Sequence, residues 1–289
     1  MKPGEAWTPP PEDLATVAED ASRLARWLTH ELADHVARLV EPDGVDEAEN
    51  NDDDNGVRVD NANGSSSSGS RASELVRKAF TSAASPLEVL AANCWERVAA
   101  AMANLCCAEL AAVRGVTAVY RMTNKPPPVS ASPFVAGLLQ PLQAFEAAWE
   151  QRYAEGGDAS GSNGSSLKGH AERGAIATAE GGNSWKRSAL ALVVARYQVV
   201  VVEVLGQVRT MDEALKKRKK AKGGASASGG DGGNEKLSDA EKIGLQLWLD
   251  SEKFGEALSS HGLPPQESPP FVELQAELKP FAKFRGAAS

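Results

Sequence analysis

Apolar residues recur every three or four positions between Pro11 and Val40. This spacing is the period of an α-helix and is close to the heptad of a coiled coil. Pro11 suits the first turn, because the N–H that proline lacks would be unpaired there. We therefore predict one amphipathic helix whose seam consists of Leu14, Val17, Ala21, Leu24, Leu28, Leu32, Val36 and Leu39.

The helical period resumes over residues 72–115, where Pro86 is predicted to divide a short helix from a longer one. The apolar stripe is expected to shift by one position at Glu109, because the strict seam would meet this charged side chain. Gly115 is predicted to end the helix as its C′ residue. The stripe consists of Leu87, Leu90, Cys94, Val98, Met102 and Leu105, and after the shift Leu110 and Val113.

Residues 120–130 contain three successive prolines and are predicted to form a loop. Ser132 is expected to cap the next helix, with Pro133 at its first position. Pro141 should kink that helix. Its large side chains at helical spacing predict a core face rather than a ligand box: Phe134, Leu138, Leu142, Phe145, Trp149 and Tyr153.

Residues 184–222 are predicted to form one long helix, after an ambiguous Ala/Gly-rich stretch at 169–183. The valine run 199–202 favours a strand locally. However, no second strand is available to pair with it, and a lone strand is not stable.

Ser238 and Glu241 form a capping box, which predicts the start of another helix. Gly262 is expected to close this helix. A last short helix is predicted at about 269–284, with its end disturbed by Pro280. The expected apolar residues of the two helices are Ile243, Leu247, Phe254, Leu258, Phe271, Leu274, Leu278 and Phe281.

Low-complexity stretches separate these helices. An acidic, Asn- and Ser-rich run and two Gly/Ser-rich inserts offer too little apolar area to offset the entropy of ordering. The predicted fold is therefore all-α, with five to six helices interrupted by disordered inserts. The predicted organisation is an N-terminal amphipathic helix (1–41), a disordered linker (42–70), a helical domain (71–262, with inserts 155–168 and 223–236), and a short C-terminal helix and tail (263–289).

The net charge of −8 argues against a dedicated nucleic-acid binder, which needs a basic surface. The strongest local charge feature is the run Lys216, Lys217, Arg218, Lys219 and Lys220. Three interpretations remain open: cations that complement the negative end of a helix, contact with anionic lipid or an acidic partner, and nuclear import.

No catalytic, cofactor or metal site is expected. His30 and His35 resemble a zinc-protease helix but are spaced i, i+5 rather than i, i+4, which places them roughly 140° apart on an α-helix. The three cysteines, including the adjacent Cys106 and Cys107, are not a disulfide framework and are predicted to be buried, reduced thiols. No signal peptide or transmembrane segment is expected.

Two stretches carry a family resemblance. Val119–Lys125 reads VYRMTNK and is followed by Pro128 and Ser132, and Ser238–Leu247 reads SDAEKIGLQL, followed by Leu249-Asp250 and Phe254-Gly255. Together, over roughly 110–262, they resemble the C-terminal domain of subunit 2 of the conserved oligomeric Golgi complex. The motif positions, with a structural or partner-contact role, are Tyr120, Arg121, Thr123, Asn124, Lys125, Asp239, Lys242, Leu245, Gln246 and Leu247.

This resemblance implies a helical bundle or rod of the tethering-complex type. It implies a structural subunit that tethers vesicles in intra-Golgi retrograde transport, bound peripherally to the cytosolic face of the Golgi membrane. The implied partners are the sister subunits and vesicle-trafficking proteins. Met122 and Gly244 stand where the family often has a basic residue. The alternative function is a helical adaptor or nucleic-acid-binding regulator that uses residues 216–220.

Overall fold

The computed structural model describes residues 9–40, 68–121, 123–156, 168–222 and 237–288. The predicted linker 42–70 and the two inserts lie wholly or largely outside these residues. By its internal contacts the chain divides into two compact units, Met1–Arg97 and Val98–Ser289. The division predicted from the sequence stays a prediction.

Every regular element in the described residues is helical, which confirms the all-α prediction. A π-helical segment, Trp27–Leu32, joins α1 to α2, and 3-10 segments span Pro265–Glu267 and Lys279–Ala288. The α-helices are α1 (Pro11–Arg26), α2 (Ala33–Val40), α3 (Ser68–Ala108), α4 (Ala111–Tyr120), α5 (Phe134–Gly137), α6 (Gln140–Gly156), α7 (Lys168–Lys222), α8 (Asp239–Ser260) and α9 (Pro269–Leu278).

In the first unit, α2 packs antiparallel to the beginning of α3. The buried Ser73 hydroxyl donates to the carbonyl of Ala37, and Arg77 pairs with Asp34 at 3.1 Å. The predicted leucine seam is only partly buried, because Leu14 and Ala21 are buried whereas Leu39 is 72% exposed. Small side chains allow helices to approach closely, and the buried residues are mostly alanines: Leu14, Ala15, Ala18, Ala21, Ala25, Ala33 and Ala37.

Two predicted helix boundaries are wrong. The helix α3 runs through Pro86 without a break. Proline inside a helix removes one backbone hydrogen bond, and its ring crowds the carbonyl four residues earlier, here that of Ser82, so Pro86 weakens α3 locally without ending it. Gly115 lies inside α4 rather than at its end. The interruption falls at residues 109–110, where the apolar stripe was predicted to shift.

In the second unit, α8 lies at the centre and contacts α4, α5, α7 and α9. The valine run of α7 is helical, as predicted. The ring of Tyr197 on α7 lies 4.8 Å from that of Phe254 on α8, which in turn lies 6.1 Å from Phe271 on α9. These three rings join the helices into one core.

The predicted capping box is confirmed. The Glu241 amide donates to the Ser238 hydroxyl at 3.2 Å, and the Ser238 amide donates to the Glu241 carboxylate at 2.8 Å. At the other end of α8, Gly262 has φ +83°, a left-handed conformation that glycine adopts without strain. The helix α9 changes to a 3-10 segment just before Pro280, close to where its end was predicted to be disturbed.

The helix predicted after Ser132 is present, but it is interrupted at residues 138–139, two positions before Pro141. Ser132 is not its cap, since Pro133 takes the N-cap position of α5 and makes no side-chain cap bond. Phe145 belongs to the core, as predicted, with its ring 5.2 Å from that of Trp185 in an edge-to-face arrangement. The Tyr153 side chain lies outside the described residues.

Two helical stretches, Arg71–Tyr120 and Ser184–Arg218, are long and apolar enough to cross a membrane by length and composition alone. This is weak evidence, because the core helix of a soluble protein passes the same test. In the second stretch, Val194, Tyr197 and Val201 are fully buried in the core of the second unit.

Candidate functional site

A row of buried polar side chains lies along the central helix α8. Lys242, Gln246 and Asp250 are spaced four residues apart, which places them on one helix face. Their exposed fractions are 2%, 6% and 0%. All three bind the segment 121–133 or the helix before it. We call Lys242, Gln246 and Asp250 the polar clamp.

Gln246 is the centre of the polar clamp. Its Oε1 accepts a hydrogen bond of 2.8 Å from the buried Tyr120 hydroxyl at the end of α4. Its Nε2 donates to the carbonyl of Ser130 at 3.0 Å and to Oδ1 of Asp250 at 2.9 Å. One amide side chain therefore joins the end of α4, the following segment and α8.

Asp250 holds Ser132 through two hydrogen bonds. The Ser132 amide donates to Oδ1 at 2.6 Å, and the Ser132 hydroxyl donates to Oδ2 at 2.9 Å. Burial raises the pKa of Asp250 above its ordinary value of 3.8, and the hydrogen bonds from Ser132 and Gln246 oppose that rise. Burial also raises the pKa of Tyr120, and the nearby Asp250 charge adds to this effect.

Lys242 anchors the beginning of the same segment. Its Nζ donates to the carbonyl of Lys125 at 2.7 Å and lies 4.0 Å from Oδ1 of Asp239. Asn124, just before Lys125, has φ +50°, a left-handed conformation that asparagine tolerates better than most residues. The buried lysine therefore binds the backbone where the chain turns.

Most side chains at the beginning of the segment point outward, although its backbone is anchored, whereas Pro128 is buried and the Ser132 hydroxyl binds Asp250. Arg121, Thr123, Asn124 and Lys125 are exposed, and Val129 is 75% exposed. The Thr123 hydroxyl donates to the carbonyl of Val119 at 2.7 Å and so covers the end of α4. The segment is thus held by α8, while the side chains of its exposed residues remain available at the surface.

The two motif stretches, separated by more than a hundred residues, meet at the polar clamp. The structure brings together Tyr120, Lys125, Lys242 and Gln246. It places Leu245 and Leu247 in the core, both 0% exposed, and Asp239 in the first turn of α8. The structure does not describe Met122.

Sequence reasoning did not select Asp250, Ser130 and Ser132 as site residues. The spacing that places Asp250 one helical turn after Gln246 could have identified it as the third polar residue on a largely apolar helix. Ser130 has no such signal, because it contributes a backbone carbonyl and its side chain is irrelevant to the contact.

The basic run begins on the last described side chains of α7. Lys216, Lys217 and Arg218 are exposed, and Lys216 pairs with Asp212 at 2.6 Å. The side chains of Lys219 and Lys220 lie outside the described residues. This run is not part of the polar clamp.

The remaining candidates do not form a reactive site in the described residues. His30 and His35 are both exposed, and they line the same shallow depression on the π-helical segment and α2, although an α-helix would separate them. No group of three or more His, Cys, Asp or Glu with metal-holding geometry occurs in the described ranges. All three cysteines are free thiols, and burial raises the pKa of Cys106 to about 11.

The arrangement is that of an all-α protein whose buried polar groups fix a surface segment. Residues 3–251 match the family model described as "COG complex component, COG2, C-terminal". The chain therefore belongs to this family, and the match begins well before the region that carried the resemblance.

Three relatives are each named conserved oligomeric Golgi complex subunit 2. The Arabidopsis thaliana protein is 28% identical over 169 residues, 57% of this chain and 19% of the relative. The Dictyostelium discoideum protein is 28% identical over 180 residues, which are 62% of this chain and 17% of the relative. The Homo sapiens protein is 30% identical over 189 residues, which are 65% of this chain and 22% of the relative. The alignments therefore cover about a fifth of each relative's length. No solved structure matches the chain significantly.

Proposed function

We propose that this chain is a structural part of a multisubunit vesicle-tethering complex that acts in intra-Golgi retrograde transport and Golgi organisation. Membership of the subunit 2 C-terminal family supports this proposal. The chain works by contact rather than by catalysis, and it needs no cofactor. Its partners are sister subunits and vesicle-trafficking proteins, and it associates peripherally with the cytosolic face of the Golgi membrane.

The observation that carries the mechanism is the anchored segment with outward side chains. Lys242, Gln246 and Asp250 hold the backbone at Lys125, Ser130 and Ser132. A segment that is already ordered loses less conformational entropy when it binds. We therefore assign the partner contact to the exposed motif residues Arg121, Thr123, Asn124 and Lys125, and the structural role to Tyr120, Lys242 and Gln246.

The alternative of a nucleic-acid-binding regulator has less support. The net charge of −8 opposes association with a polyanion, and the family match concerns a Golgi complex component.

Affinity purification of the tagged chain from cells tests the proposal. We expect sister subunits of the tether to co-purify and the chain to localise to the Golgi. The variant Arg121→Glu/Lys125→Glu should capture less of them, because it reverses the exposed charges without touching a core side chain. The control Lys253→Glu/Lys279→Glu changes the same charge at exposed positions on α8 and at the end of α9. Absence of tether subunits and a diffuse cytosolic distribution would contradict the proposal.

A further inference from the structure

The end of α7 is a helix with no buried face. Residues 213–218 are all exposed. Successive residues of an α-helix are 100° apart, so six in a row cover every side of it. This differs from the middle of α7, where Val201, Val204 and Leu205 are buried.

Cations accumulate in this exposed part of the helix. Glu213 is the last acidic residue of α7, and Lys216 pairs with Asp212. In the described part of the chain, Lys217 and Arg218 have no carboxylate within ion-pair distance. The helix then continues to Lys222, and residues 214–222 contain six cations and no acid.

The rest of the chain is strongly acidic. The whole chain has 31 Lys and Arg against 39 Asp and Glu. Without the six cations of residues 214–222, 25 remain against 39 acids, a charge of −14. The positive charge is thus concentrated at one helix end. Six cations are more than the few that would complement the negative end of the helix dipole.

We propose that residues 214–222, which we call the basic arm, bind the anionic headgroups of a lipid bilayer. Clusters of four to eight Lys and Arg on a helix are attracted to acidic lipids by the surface potential, without a pocket. Leu215, 57% exposed at the base of the arm, adds an apolar side chain that can rest at the headgroup boundary. This proposal names the part of the chain that would contact the membrane, and its role at the Golgi rests on the proposed function.

The length of the arm suits this contact. Nine helical residues span roughly 14 Å, at about 1.5 Å per residue. The Debye length at physiological ionic strength is about 8 Å. Because the helical span exceeds this length, repulsion between the acidic remainder of the chain and a negative surface at the far end of the arm is screened. The arm contains no aromatic side chain on which a nucleic-acid base could stack, which favours lipid over single-stranded RNA.

Co-sedimentation of the full chain with vesicles tests the basic arm. Vesicles of phosphatidylcholine alone are compared with vesicles that contain phosphatidylserine at about physiological ionic strength. The variant Lys216→Gln/Lys217→Gln/Arg218→Gln removes three cations of the arm. The control Lys253→Gln/Lys279→Gln/Lys283→Gln removes three exposed cations elsewhere, so that both variants have the same net charge. Circular dichroism verifies that both fold.

We expect binding to the phosphatidylserine vesicles only, and weaker binding at high salt. Each cation near the surface contributes about fivefold to the affinity, so the arm variant should bind about 100-fold more weakly. The control should bind like the unmodified chain. Equal losses in both variants, binding that ignores phosphatidylserine, or preference for a single-stranded RNA over the vesicles would each overturn the proposal. The assay contains no tether subunit, so its result is independent of the co-purification.

Discussion

The hydroxyl of Tyr120 and the side-chain amide of Gln246 form a buried hydrogen bond of 2.8 Å, although 126 residues separate them along the chain. This bond joins the two sequence stretches that carry the family resemblance. Because Gln246 also binds the carbonyl of Ser130, the bond couples the end of α4 to the position of the exposed segment. The contribution of this bond to the free energy of unfolding can be measured directly.

Removal of the Tyr120 hydroxyl should destabilise the protein. In Tyr120→Phe the Oε1 of Gln246 loses its donor in a buried site, which costs about 1–2 kcal/mol in the free energy of unfolding. Tyr197→Phe is a matched control, because the buried Tyr197 hydroxyl has no hydrogen-bond partner among the residues that the structure describes. This variant should be neutral or slightly stabilising. Urea denaturation of both variants measures their free energies of unfolding. Equal losses in the two variants would contradict a stabilising role of the bond between Tyr120 and Gln246.

The stability of Asp250→Asn relative to the unmodified chain should depend on pH. The folded pKa of Asp250 is raised by burial, so its carboxyl contributes most stability below about pH 3.8 and loses that contribution as the pH rises through the folded pKa. An asparagine does not titrate but retains an oxygen to accept from the Ser132 amide. The free energy of unfolding of the variant minus that of the unmodified chain should therefore rise from pH 4 to pH 7.

Urea denaturation across this pH range gives that difference. Glu256→Gln serves as a control for the loss of one exposed negative charge. A difference for Asp250→Asn that stays constant, or that falls with rising pH, would disprove the buried-carboxylate interpretation.

Gly244 should tolerate no side chain while Phe281 stays in place. A Cβ atom at Gly244 would lie 2.2 Å from Cδ1 of Phe281, so the ring must move. Gly244→Ala should therefore loosen the C-terminal 3-10 segment and speed tryptic cleavage after Lys283 and Arg285. Gly115→Ala is the matched control, because a Cβ there meets nothing within 4 Å. Gly115→Ala should stabilise α4 by about 0.5–1 kcal/mol. Identical cleavage rates in both variants would contradict the close packing of Phe281 on Gly244.

Replacement of Lys242 by methionine should cost more than the same change at Lys253. Lys242 is buried, and its amine donates to the carbonyl of Lys125, which Lys242→Met leaves without this donor. A loss of about 1–3 kcal/mol in the free energy of unfolding is expected. Lys253 is exposed on the same helix, so Lys253→Met should change it by less than about 0.5 kcal/mol. Thermal or urea unfolding compares the two variants. Similar losses of stability would contradict the role of Lys242 in holding the backbone at Lys125.

Local signals predicted the helical elements well. The capping box at Ser238 and Glu241 fixes a helix start through neighbouring residues alone, so the sequence suffices. The valine run of α7 is helical because the strand alternative lacked a partner, an argument also available from the sequence. The apolar stripe was predicted to shift at Glu109, but the break of the helix at residues 109–110 was not predicted.

Packing and long-range contacts could not be predicted in the same way. The spacing of Leu24 and Leu39 predicts a buried face, but neighbouring helices approach along the smaller alanines, and this choice depends on their relative position. The bonds of Asp250 to Ser132 join residues 118 positions apart. Ser132 has the right residue type for a helix cap, and only the folded structure shows that Asp250 binds it instead.

Hydrogen exchange at the Ser132 amide tests most directly whether the polar clamp holds the exposed segment. This amide donates to Oδ1 of Asp250 at 2.6 Å, outside any helix. We expect it to exchange far more slowly than an unprotected amide in the native chain, as measured by NMR. The protection should be lost in Asp250→Ala, while amides in the middle of α7 remain protected. Rapid exchange of Ser132 in the unmodified chain would contradict an anchored segment and, with it, the contact surface assigned to Arg121–Lys125.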